Sequence, residues 1–302
     1  MGIASQAKNE AAVRRHRPTA GAGENDIVQA GPTNREPAVD HLVEVWTSVV
    51  TACDHISPGQ WELPTDCPGW TVRDQLAHLI GIERMLLGEA PPPPLTKQPD
   101  HVRNGYAELN EPWVEARRRI PGNQVLAEFI SVTGRRIHEL RMLSPEAFDI
   151  RSWSPVGEVP YRDFLRTRVL DSWAHEQDLR RALGRPGGRN GVGEQAVLDR
   201  CEGTMPYVVG RRVAPPDGTT VRFVVTGVLG RQVMVAVANG RAEAVVADAS
   251  IADATLIVDQ ETFWRLGFGR VNPSRALASG LVRVVGDIAL GHRVLGSMAF
   301  MT

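Results

Sequence analysis

The hydrophobic period of this sequence changes once, and that change limits what the chain can fold into. From Val39 to about Leu183 apolar residues recur three and four apart, as in Leu42, Val45, Trp46, Val49 and Val50. That is the spacing of one buried helix face. A glycine-rich stretch, Arg185 to Gly193, and one helix over about 193–210 follow. The period then falls to two, and the runs 221–226, 232–237, 242–246 and 254–258 read as short strands. The chain has 302 residues, more than a single core usually holds. The expected fold class is therefore α plus α+β, with a helical half before a smaller α+β half.

Local signals set the expected boundaries. Residues 1–37 are rich in Gly, Ala, Asn, Pro and charge, and read as a disordered tail whose Arg14, Arg15, His16 and Arg17 are solvated. A helical domain is expected over 38–186 and an α+β domain over 190–302. Thr71 with Asp74 forms an Asp version of the capping box before the second helix. Pro91 to Pro94 stop that helix, and further helices are expected over about 102–119 and 122–142. Pro145 to Pro160 reads as a loop. The helix from Tyr161 ends at Leu183, with Gly184 and then Pro186 as the stop. In the second half Asn239-Gly240 marks a hairpin. Asp259 can cap a helix carrying Phe263, Trp264 and Leu266, and Asn272-Pro273 starts a short one. A last strand is expected over 281–285 and a last helix over 288–300.

Composition removes several function classes. A formal net charge of −1 offers no footprint for nucleic acid or a membrane surface. No apolar run approaches the roughly 20 residues that span a bilayer, and no apolar core follows the N-terminal basic residues as in a secretory signal. Cys53, Cys67 and Cys201 are odd in number and widely spaced, so neither a disulfide framework nor a paired-cysteine metal knuckle is expected. A reducing cytoplasm is the expected setting. The glycines near 184–188 follow no strand and form no dinucleotide fingerprint, and neither GxSxG nor HExxH occurs.

The chemistry concentrates in Asp171-Ser172-Trp173-Ala174-His175-Glu176-Gln177-Asp178. On a helix Asp171 and His175 share a face and could grip one metal ion. Zinc needs a third protein ligand. His78, two turns into the second helix and beside its apolar face, is the candidate, since bundle cores place metal ligands on facing helices. Spacing leaves other readings open: Asp and His four apart also form ordinary surface pairs, and an inward histidine also occurs as a plain core residue. Asp74 or Asp178 could orient an imidazole, but Asp178 is equally placed to pair with Arg168, Arg180 or Arg181. Cys67 reads as a structural thiol, and Trp70 and Trp173 read as core. His138, among arginines, reads as a solvated face.

Two stretches, Thr65-Asp66-Cys67-Pro68-Gly69-Trp70-Thr71-Val72-Arg73-Asp74-Gln75-Leu76-Ala77-His78-Leu79 and Asp171 to Leu179, resemble the DinB-like, mycothiol-dependent maleylpyruvate isomerase superfamily. Ala278-Ser279-Gly280-Leu281-Val282-Arg283-Val284-Val285-Gly286-Asp287 resembles the sterol-carrier-like domain that follows in that family. The resemblance implies a DinB-like up-down four-helix bundle, with a divalent metal, most often zinc (Zn2+), held at positions occupied here by His78, Asp171 and His175. Asp171 stands where maleylpyruvate isomerase has Glu, one methylene longer. It also implies mycothiol as cosubstrate.

The expected function follows from such a site. An open position on the metal would favour the thiolate of a bound thiol. That thiolate could add to an electrophilic double bond of a small molecule and leave after rotation, or stay attached. The activity expected is thus isomerase or thiol transferase, with metal-assisted hydrolysis also allowed. The competing expectation is a non-catalytic metal-containing module whose C-terminal domain carries an apolar ligand. A third is an interaction scaffold with a decayed site.

Overall fold

The computed structural model describes residues 36–154, 157–246 and 252–301. The expected tail and its basic cluster thus fall almost wholly outside the described residues. By contacts the chain divides into two compact units that part between Gly188 and Arg189.

The first unit is helical. Helix α1, Pro37–Ala52, starts two residues before the apolar period does, because Glu36 accepts from the Ala38 N–H and Pro37 needs no donor partner at the first position. It buries Leu42, Val45, Trp46 and Val49. Helix α2, Val72–Leu86, opens on the expected capping box: the Asp74 carboxylate accepts from the Thr71 N–H at 3.0 Å. Helix α3, Gly105–Glu115, and helix α4, Gly122–Arg141, follow. The stretch 145–160, expected as a loop, holds a 3₁₀ turn and a hairpin of β1, Arg151–Ser154, and β2, Gly157–Pro160. Pro145 and Pro160 sit at the ends of these elements, where no ladder N–H is required, so the prolines that suggested a loop only bound the hairpin.

Helix α5, Tyr161–Leu183, ends as expected at Gly184, whose φ of 63° is left-handed. Helix α1 packs on α5 and α4, and α2 packs on α4, α3 and α5. Polar ties cross the α1–α5 seam: the Trp46 indole donates to Ser172 Oγ at 3.0 Å, and Ser48 Oγ donates to Glu176 at 2.5 Å.

The second unit is α+β. Helix α6, Val192–Tyr207, loosens into a wide turn over Val208–Val213 just after Pro206, which lacks the N–H a regular ladder needs. A five-stranded sheet has the order β5-β4-β3-β6-β7, with β3 Thr220–Thr226, β4 Arg231–Ala238, β5 Arg241–Val245, β6 Ala254–Asp259 and β7 Val282–Gly286. Among the described strands of this sheet β3 and β6 pair in parallel and the other neighbours pair antiparallel. The β4–β5 turn is Asn239-Gly240, both with positive φ, as a two-residue hairpin demands. Helix α7, Gln260–Gly267, is capped by Asp259, α8 is Pro273–Ala278, and α9, Ile288–Gly296, ends four residues short of the expected limit. Val221, Phe223, Val225, Val233, Val235 and Leu256 fill the unit's core.

Candidate metal centre

Helices α2 and α5 carry the three residues that spacing singled out, and the fold brings them together. His78 Nε2 lies 3.4 Å from Asp171 Oδ2, and His175 Nε2 lies 3.6 Å from Asp171 Oδ1. One ligand atom from each falls within 4.8 Å of the others. Zinc bonds of about 2.0–2.2 Å at tetrahedral angles separate ligand atoms by roughly 3.3–3.6 Å; each imidazole has a carboxylate oxygen at such a separation, His78 facing Oδ2 and His175 facing Oδ1. His78 and His175 are buried and Asp171 is 15% exposed.

The polar accounting points the same way. Both ring nitrogens of His78 are buried without a hydrogen-bond partner. Each such orphan costs about 1–3 kcal/mol; a cation beside Nε2 would satisfy that nitrogen, and Nδ1 would stay unpaired. Burial, with His175 alongside, pushes the His78 imidazole down to about 4, so the ring is neutral, the form that ligates. Burial works against ionisation of Asp171, but the Arg168 guanidinium and then His175 outweigh it and hold the carboxyl well below its usual range. The donor set, two imidazoles and one carboxylate, suits a divalent cation of borderline softness.

A polar shell surrounds the three. His175 Nδ1 is 2.5 Å from Gln75 Oε1 and only 3.8 Å from Asp178 Oδ2. Gln75 is the nearest partner of that nitrogen, Asp178 stands farther off, and Asp74 accepts from the Thr71 N–H at the helix cap. Arg168 donates to Asp171 Oδ2 at 2.6 Å and to Glu83 Oε1 at 2.9 Å, and Arg136 donates to Glu83 Oε2 at 3.2 Å and also to the Tyr161 hydroxyl. Asp171 thus serves both readings that spacing left open, since it faces two histidines and pairs with an arginine. Arg180 pairs with Glu176, and Arg181 with Asp66.

Trp70, expected as core, packs over both imidazoles, with ring centroids 5.0 Å from His78 and 5.8 Å from His175. Its indole donates to the buried Glu111, which also meets His101 and Arg118. Gly69 beside it has φ 78°, and a Cβ there would run into the His101 ring. Tyr106 on α3 was not anticipated either. Burial, with Asp171 adding to it, raises its phenol to about 12. Cys67 is half-buried against Trp70, Ala77 and Val114. Trp173 is a core residue, with its indole donating to the Gly188 carbonyl.

Comparison with known proteins agrees with the resemblance. Residues 42–180 match the family model for the mycothiol maleylpyruvate isomerase N-terminal domain, and residues 206–298 match that for the SCP-2 sterol transfer family. An uncharacterized protein of Mycobacterium tuberculosis is 26% identical over 142 residues, which is 43% of this chain and 50% of that protein. The chain thus spans about half the length of the curated relatives it matches. A crystal structure of the mycothiol-dependent maleylpyruvate isomerase covers 82% of this chain and 92% of its own, with TM-score 0.55 and 13% identity. A point mutant of that enzyme gives TM-score 0.53 and 11% identity over the same shares. At such identity these structures speak for the fold alone. Among the described residues no helix is long and apolar enough to cross a membrane. The chain thus carries, over residues 42–180, a region matching the mycothiol maleylpyruvate isomerase N-terminal domain and, over residues 206–298, a region matching the SCP-2 sterol transfer family.

Proposed function

We propose that His78, Asp171 and His175 hold a divalent metal, zinc before others, and that the chain uses a low-molecular-weight thiol of the mycothiol type against a small electrophilic substrate, as an isomerase or thiol transferase. The single observation that carries this reading is the buried His78 ring, orphaned at both nitrogens and facing a carboxylate and a second imidazole. The family's name supplies mycothiol.

A bound divalent cation supplies Lewis acidity that favours the thiolate of a thiol. The chain's own residues do the rest. Arg168 keeps Asp171 ionised and anchors it to Glu83. Trp70 covers both imidazoles and excludes water from that side. Tyr106, whose phenol is protonated at neutral pH and is raised further by burial, can donate a hydrogen bond beside the carboxylate. We also propose that 38–186 and 190–302 are separately folding domains and that the protein works in the cytoplasm.

The SCP-2 match favours a second reading for the C-terminal unit, that of an apolar-ligand carrier. Thiol-conjugation and isomerisation assays on purified protein, with and without chelator, test the leading reading. Metal-dependent thiol turnover supports it. Co-purified lipid with turnover indifferent to chelator supports the carrier instead.

A further inference from the structure

Gln75 is buried three residues before His78 on α2, and its amide lies between two helices and a loop. Its Oε1 is 2.5 Å from His175 Nδ1 on α5, and its Nε2 donates to Thr65 Oγ1 at 2.6 Å. The Thr65 hydroxyl in turn donates to the Trp70 carbonyl at 2.9 Å. The Cys67 carbonyl lies within reach too, at 3.5 Å; both carbonyls can only accept, so the hydroxyl proton goes to one of them and the hydroxyl oxygen must accept from Gln75. The amide is thereby oriented, with its NH₂ toward Thr65 and its carbonyl toward His175. A carbonyl has no proton to give, so the ring proton of His175 belongs on Nδ1. The Nε2 lone pair is then left on the side of Asp171 Oδ1, 3.6 Å away.

We propose that Gln75 is a positioning residue for the metal centre: locked by Thr65, its amide holds His175 in the Nδ1–H tautomer that presents Nε2 to the ion. The inference rests on the metal reading given above. A flipped amide would donate to Nδ1, drive the proton to Nε2 and remove His175 as a ligand. The loop that locks the amide also carries Trp70 over both rings. One short segment, Thr65 to Trp70, thus orients one candidate ligand and covers two.

The test uses the full chain labelled with ¹⁵N-histidine. Imidazole nitrogen shifts in the metal-free protein report the tautomer of His175, assigned with His175→Ala, and chelator competition gives the Zn2+ affinity of wild type, Gln75→Leu and Gln75→Glu. The expected result is an Nδ1–H tautomer in wild type. Gln75→Leu should lose that preference and about 10–100-fold in affinity, the usual effect of removing such a partner. Gln75→Glu, which still accepts from Nδ1–H, should restore both. A melting curve shows that each variant folds. An Nε2–H tautomer in wild type overturns the proposal, as does a Gln75→Leu variant with unchanged tautomer and affinity, or equal losses in Leu and Glu. If wild type takes up no metal, the metal reading fails and with it the role toward an ion, while the tautomer separately shows whether Gln75 orients the ring.

Discussion

The sheet of the second unit packs Val221, Phe223, Val225, Val233, Val235 and Leu256 beneath its helices, whereas α2 and α5 of the first unit turn Gln75, His78, Glu83, Arg168, Asp171 and His175 inward. The first arrangement follows the ordinary rule that strands alternate and the apolar face is buried. The second breaks the rule for helix faces, and burying charge is costly unless every group is paired. Glu83 is paired twice, with Arg136 and Arg168, and Arg168 twice, with Glu83 and Asp171. His78 is the member without a hydrogen bond. Consistency fails in natural proteins mostly at functional sites, so the contrast singles out the first unit's interior as the candidate site.

The largest effects should come from breaking each core by its own means. Phe223→Ala should cost the second unit about 3–5 kcal/mol by leaving a cavity, with metal content unchanged. Arg168→Met should cost the first unit a similar amount, about 3–5 kcal/mol, because Glu83 is left buried with one partner lost. Denaturant melts with metal analysis separate the two: equal metal loss in both variants would erase the distinction between the cores.

A smaller effect concerns pH. The His78 imidazole is pushed from 6.5 to about 4 in the folded chain, so between those values the unfolded chain binds the extra proton. Stability of the metal-free protein is then present above pH 6.5 and lost as the pH falls toward 4, by about 3 kcal/mol. His78→Leu should flatten that part of the profile and be at least as stable as wild type at pH 7, since an orphaned buried group is removed. Parallel profiles for the two proteins would contradict the burial argument.

Smaller again is the helix cap of the ordinary core. Asp259 accepts from the Thr262 N–H at 2.9 Å, and Asp259→Ala should cost about 1 kcal/mol without touching metal affinity. A drop in metal content there, measured per chain, would mean the two units are not as independent as the contrast implies.

How much of this was legible in the sequence depended on the range of the contacts. The α plus α+β division, the Thr71–Asp74 cap, the Gly184 stop and the Asn239-Gly240 turn all rest on residues a few positions apart, where period and turn chemistry speak directly. Asp171 and His175 share one helix, so their pairing could be read from spacing, while His78 was a candidate from its place beside the apolar face of the second helix, and family resemblance then supported it. Gln75 and Glu83 were missed because their partners lie 100 and 85 positions away, and nothing local marks a polar residue as inward. Arg168 did carry a local signal, three residues before Asp171, but it was considered only as a partner for Asp178. The β1–β2 hairpin was hidden because prolines at its ends outweighed a four-residue alternation.

The central claim is that His78, Asp171 and His175 share one divalent ion. Metal per chain, measured on purified wild type, His78→Ala, His175→Ala, Asp171→Ala and Asp171→Glu, tests it most directly, with melting curves to show that each chain folds. We predict close to one ion per wild-type chain, near-complete loss in the three alanine variants, and retention in Asp171→Glu, whose longer arm reaches from the same helix face. Full occupancy in both Asp171→Ala and His175→Ala would contradict the site.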